Sequence, residues 1–405
     1  MRRSLSLLTI LVSFVPASGF SQSLPATRAE VLRAEREAKQ KVLRPNRPDP
    51  LQRGLSLIED PPIFVVARDG PYPKIGKVTT GSGPAIGVGY RNRTFLKRYG
   101  IFDAWVAGTF RTYWAVESRL TFPDLARGRL LAEGVATLRE FPREAFFGIG
   151  PDSQRSDHAT FRQRLSRVTG RGGVRVWPAL TVGGSLASLD VRSGDGSDDD
   201  AQPISELFDA TSAPALGEDL SYGVVSAFVE VDYRQPRNAR RGGYYRFDVS
   251  RHADRDGGRW SFTQTDLDLR QYFGFVADRR VVALRAWLSS TTPADDSLGT
   301  PFYLMPALGG HDTLRGFRND RFRGPHALLL QAEYRWEVWS GLDAAIFYDA
   351  GQVAERRSDL DFSRLEDDYG FGFRFNTSEG IILRVDAAFG SRDGKHLHIV
   401  FGGVF

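Results

Sequence analysis

The sequence predicts an all-β chain, a transmembrane antiparallel β-barrel of about 16 strands, with a short N-terminal helical extension. Three observations carry this reading. From about Ser82 onward hydrophobicity alternates with period two. In mid-strand one face carries large apolar and aromatic side chains while the other carries charges of both signs. The first 21 residues read as an export signal. A soluble sandwich turns one face into a dry core. A strand with lipid outside and a polar lumen inside needs the combination seen here, and in lipid the sheet must close so that every backbone group is paired.

The elements follow in chain order. Arg2 and Arg3 precede the apolar run Leu5–Val15 and the small residues Ala17, Ser18 and Gly19, the layout of a secretory signal peptide over residues 1–21. Residues 22–77 read as a periplasmic helix and Pro-rich linker. The helix covers 26–43, its apolar stripe (Val31, Leu32, Val42, Leu43) is thin, and Pro45, Pro48 and Pro50 end it. Pro61, Pro62, Pro71 and Pro73 punctuate the linker. Residues 78–405 read as the barrel. Its strand-like runs are Pro84–Arg91, Ile101–Phe110, Tyr113–Phe122, Arg129–Phe141, His158–Val168, Gly173–Leu189, Tyr222–Tyr233, Tyr244–Arg251, Trp260–Phe273 and Arg280–Ser290. Leu328–Trp336, Leu342–Gly351, Tyr369–Phe375, Ile381–Phe389 and Leu397–Phe405 complete them. That makes fifteen runs, and because single-chain bacterial barrels use even strand numbers, about sixteen strands are expected. The polar stretch Arg192–Ser221, with Asp195, Asp198, Asp199 and Asp200, reads as a solvated extracellular loop, its spacing fitting no ordered calcium loop.

Composition narrows the function. With no cysteine, a disulfide framework, a Cys-ligated zinc site and a thiol nucleophile are excluded. The net charge of +5 is spread along the chain with acids beside it, which points to no nucleic-acid partner. Neither a G-x-S-x-G elbow nor an H-E-x-x-H motif occurs. His396 and His398 alternate onto the lumen face without a nearby carboxylate and read as polar filling, so no metal, cofactor or enzymatic activity is expected.

The long loop LMPALGGHDTLRGFRNDRFRGPHALLL carries Arg315, Gly316 and Phe317. Glu333 lies in the next strand, and Phe347, Asp349 and Gly351 form an F-x-D-x-G pattern in the one after. By alternation Glu333 and Asp349 face the lumen, where a loop folded inward places Arg315 between them. A planar guanidinium serves two carboxylates, and Gly316 lets the backbone approach closely. In this order and strand context the motifs resemble the BamA/TamA family of outer-membrane assembly proteins, also called bacterial surface antigen proteins. The segment Glu144–Ser153 and the terminal Phe405 are similar to that family as well. The chain departs from its large members, because residues 22–77 lack the strand order of a POTRA repeat. The resemblance implies a bacterial outer-membrane location and a role in inserting, assembling or translocating proteins, or lipids. It also implies contacts with outer-membrane lipids and with client proteins or periplasmic factors. A lateral seam is expected between the Gly-rich first and last strands, marked by Gly87, Gly89, Gly402, Gly403 and Phe405. The alternative is a passive pore or solute transporter using the charged lumen.

Overall fold

In the computed structural model the described residues are 69–400 without 80, 199–200, 236–238 and 378–379. The signal peptide, the charged helix, and Gly402, Gly403 and Phe405 lie outside them. The main sheet has 17 strands, one of which is the two-residue segment Gln202–Pro203 lying parallel to its neighbour. The other sixteen form the wall of a barrel. They are β1 (Gly70–Gly76), β2 (Ala85–Thr94), β3 (Gly100–Thr109), β4 (Trp114–Asp124), β5 (Leu130–Phe146), β6 (Ala159–Trp177), β7 (Leu180–Asp195) and β8 (Asp219–Asp232). The second half comprises β9 (Gly242–Asp254), β10 (Phe262–Phe275), β11 (Arg280–Pro293), β12 (His326–Trp339), β13 (Leu342–Ala354), β14 (Glu366–Thr377), β15 (Gly380–Ser391) and β16 (Gly394–Val400). Each pairs antiparallel with the next along the chain, from β1–β2 round to β15–β16.

The alternation resolves into an apolar outer wall and a packed polar lumen. Leu397 and Ile399 are 69% and 66% exposed on the outside, whereas Arg315, Asp349, Arg374 and Asp386 are 0% exposed within. This inversion of an ordinary globular protein is what a lipid-facing wall requires. Long connections gather at one end and short turns at the other, where β1 begins and β16 ends, so the short-turn end is the periplasmic one. At the opposite end an aromatic roof joins Phe146, Phe161, Tyr222, Trp260, Phe262 and Phe302 to Ile204, Ala213 and Ala215 of the β7–β8 loop. That loop is therefore anchored by apolar residues as well as solvated by its acids, and Asp195 accepts from Ser205 N and Oγ at 3.1 and 2.9 Å.

Three expectations are corrected. The barrel starts at Gly70, inside the stretch read as linker, not at 78. Accordingly Gly87 and Gly89 lie in the second strand, covered by β1 opposite Lys74 and Tyr72, and are not on the barrel's edge. The physical reason lies in Pro71 and Pro73. A continuous ladder from Gly70↔Arg91 to Gly76↔Ala85 takes N–H donors from alternate residues of β1. Proline has none, so both prolines face the other edge, and a proline-bearing strand is tolerated only at an edge. The run Gly173–Leu189 also divides, because the hairpin turn between Trp177 and Leu180 is too short to interrupt the alternation.

Candidate functional site

The site is the loop between β11 and β12, folded into the lumen. Its neck is a two-residue ladder, Ala307↔Arg323 and Leu308↔Phe322. Beyond it the chain doubles back at Gly309 and Gly310, with φ of +120° and +92°. A Cβ on Gly309 would stand 2.1 Å from Arg318 O, so only glycine permits this fold. Gly310 N donates to Leu314 O and Phe317 O at 3.0 and 3.2 Å, closing a compact knot that presents Arg315 to the wall. Phe317 is buried among Leu308, Leu314, Phe322, Ala327, Leu329 and Val353. Gly351 makes room for this packing, since a Cβ there would lie 3.0 Å from Leu308 Cδ1.

Arg315 meets both sequence-matched acids. Its Nε donates to Asp349 Oδ2 at 2.6 Å and its Nη2 to Asp349 Oδ1 at 2.8 Å, a bidentate pair, while Nη1 donates to Glu333 Oε2 at 2.9 Å. The guanidinium carbon lies 3.4 Å from the Phe347 ring centroid, a cation–π contact that explains the aromatic residue of the F-x-D-x-G pattern. Gln331 Nε2 donates to Asp349 Oδ1 at 3.2 Å and to Thr313 O at 2.8 Å, adding a second tie between wall and loop.

Arg374, Arg384 and Asp386, which alternation along β14 and β15 turns toward the lumen, join the site in the structure. Glu333 also accepts from Arg335 Nε at 2.6 Å and from Arg374 Nε and Nη2 at 3.0 and 2.6 Å. Arg374 Nη1 donates to Asp386 Oδ1, and Asp386 Oδ2 lies 3.4 Å from Arg384 Nε and 3.6 Å from Arg315 Nη1. Gly372 is the signal that was available, because a Cβ there would lie 2.2 Å from Asp386 Oδ1 and 2.8 Å from Arg374 Nη1. Lone buried charges are costly, whereas here guanidinia and carboxylates alternate in contact, which is the arrangement that makes burial tolerable. In the loop itself, burial pushes the Asp312 carboxyl up, but His311, Lys77 and Arg384 outweigh this and hold it below the usual carboxylate range.

The segment Glu144–Ser153 docks on the same loop. Arg321 donates to Ser153 Oγ and O at 2.9 and 2.7 Å and stacks on Phe147, and Gly150 N donates to Arg323 O at 2.8 Å. Among the described residues no three His, Asp or Glu side chains converge as a metal-binding set. His396 and His398 stack with ring centroids 6.1 Å apart, and His398 Nε2 is 2.7 Å from Arg315 O.

Residues 218–401, from β8 through the loop to β16, match the Omp85 superfamily domain. The second half of the wall is thus an Omp85 superfamily domain. Its fold is similar to BamA from Haemophilus ducreyi lacking POTRA domains 1–3, with TM-score 0.61, 12% identity, and coverage of 83% of this chain and 70% of that one. It is similar also to CdiB from Escherichia coli, with TM-score 0.53, 11% identity and coverage of 81% and 61%. No curated protein sequence matches the chain. A barrel with an Omp85 superfamily domain and this apolar wall is a bacterial outer-membrane protein.

The Omp85 loop leaves no room for a methyl group at its centre. A Cβ on Gly316 would stand 2.5 Å from Asp368 Cβ. Gly316→Ala is therefore expected to push the loop off the wall at a cost of about 1–3 kcal/mol. Limited proteolysis of the folded barrel checks this: cleavage within residues 306–324 should accelerate, and an unchanged pattern would show that Asp368 yields instead.

Proposed function

We propose that this barrel inserts or secretes proteins at the outer membrane through the seam between β1 and β16, without catalysis, while the loop stands in the lumen as a fixed strut. The observation that carries the reading is the edge of β1. Pro71 and Pro73 remove two N–H donors from the edge left when the wall comes round, and among the described residues no ladder joins β1 to β16. Each absent hydrogen bond forgoes about 0.5–1.5 kcal/mol, so this seam is the cheapest line along which the wall opens. Once open, β16 offers a proline-free edge (GKHLHIV) to which an incoming strand adds by backbone pairing. The Omp85 superfamily domain, together with the loop and strand motifs that resemble BamA/TamA assembly proteins, supports the choice of protein as cargo.

The lumen-filling loop and the aromatic roof argue against a passive pore. The test is depletion of the protein from its host followed by profiling of the outer-membrane and secreted proteomes. Selective loss of particular barrel or secreted proteins is expected. An unchanged proteome, with purified protein that forms a steadily conducting channel in planar bilayers, would favour the pore.

A further inference from the structure

The loop that locks onto β12–β15 also touches both flanks of the seam. Lys77 directly follows β1, and its Nζ donates to Asp312 Oδ2 at 2.9 Å and meets His311 Nε2. On the other flank, His398 in the middle of β16 holds Arg315 O, and the His311 and His398 rings lie 6.1 Å apart. Ser391, at the end of β15, donates to Gly316 O. Arg384 donates to His311 O at 2.9 Å and pairs with Asp312 at 3.3 Å. The six residues His311–Gly316 are thus fastened to the first strand on one side and to the last two on the other.

We propose that His311–Gly316 form a latch across the seam, which ties together two strands that no ladder joins among the described residues and whose releasable part is the Lys77–Asp312 pair. The two sides of the latch differ in strength for a physical reason. The Arg315, Glu333 and Asp349 side chains are fully buried, whereas Lys77 and Asp312 are 34% and 44% exposed. Exposed pairs are weak and exchange readily, while breaking one partner of a buried pair is expensive. Opening therefore proceeds by release of β1 from the loop, with the loop left on β12–β16. Space exists for that movement. A cavity of about 620 Å³ lies behind the pair, lined on the β1 side by Gly76 and Lys77 and on the β16 side by His396 and His398. Lys77 can swing into it without repacking the buried cluster.

The latch rests on the seam reading above, but its test reads a distance and needs no client. The chain has no cysteine, so the outward-facing pair Ile75→Cys and Leu397→Cys can be spin-labelled specifically in the full chain in lipid nanodiscs. With Lys77 and Asp312 intact, one narrow distance distribution is expected. Lys77→Met, which keeps the stem and removes the charge, and Asp312→Asn should each raise a longer-distance population several-fold. Lys77→Arg, which keeps the charge, should restore the narrow distribution. Distances unmoved by Lys77→Met and Asp312→Asn, or an arginine variant that behaves like the methionine one, would overturn the latch while leaving the proposed cargo untouched. An unchanged proteome on depletion would instead remove the cargo reading and leave the latch standing.

Discussion

Arg315→Ala is expected to free the loop from the lumen and cost about 3–5 kcal/mol, the range for removing one partner of a buried ion pair. On unheated gels the folded band should give way to the unfolded one at a lower temperature. Trypsin should then reach Arg318, Arg321 and Arg323. Geometry also ranks the partners. Glu333 keeps Arg335 and Arg374 when Arg315 is lost, whereas Asp349 keeps only the neutral Gln331 among its hydrogen-bond partners described above. Double-mutant cycles should therefore give a larger coupling for Arg315 with Asp349 than with Glu333. Both should exceed the roughly 0–1 kcal/mol of an exposed pair.

Glu333→Ala is expected to be the most damaging single change in the barrel, at or above the upper end of the same range of about 3–5 kcal/mol. The carboxylate stands between the guanidinia of Arg315, Arg335 and Arg374, all within 3.0 Å of its oxygens. Its removal leaves three buried cations repelling one another across a void. Glu333→Gln keeps the shape and loses the charge, so it should recover only a small part of the stability. Thermal unfolding of the two variants side by side checks this. Equal stability of Glu333→Gln and the unmodified chain would mean that packing, not charge, holds the cluster.

Much of this architecture was legible because a membrane barrel enforces alternation on every strand. Each strand from β2 to β16 overlaps a run visible in the sequence, although several extend beyond it. β1 was not legible, since Pro71 and Pro73 signal a linker to any local reading, and only the partner strand reveals that they face away from its ladder. The acids that meet Arg315 were named from the motifs that resemble the BamA/TamA family, and alternation put both on the lumen face. Arg374 and Asp386 were not singled out, because Arg246 and Arg270 also carry lumen-facing charge in mid-strand and pair elsewhere. Alternation gives the face of a residue but not its depth along the barrel axis, and depth decides which charges meet. The order β12–β13–β14 and the bare Gly372 bring Arg374 to Glu333, 41 residues away in the chain.

The central claim, that the protein works at the seam and not through the lumen, is tested most directly by closing the seam covalently. Ile75→Cys combined with Leu397→Cys or Ile399→Cys, oxidised to a disulfide in cells that carry no other copy, is expected to reproduce the proteome of depletion. Reductant should restore the normal proteome, and each single-cysteine variant should behave as the unmodified chain. A disulfide-closed barrel that supports a normal outer-membrane and secreted proteome would contradict the account.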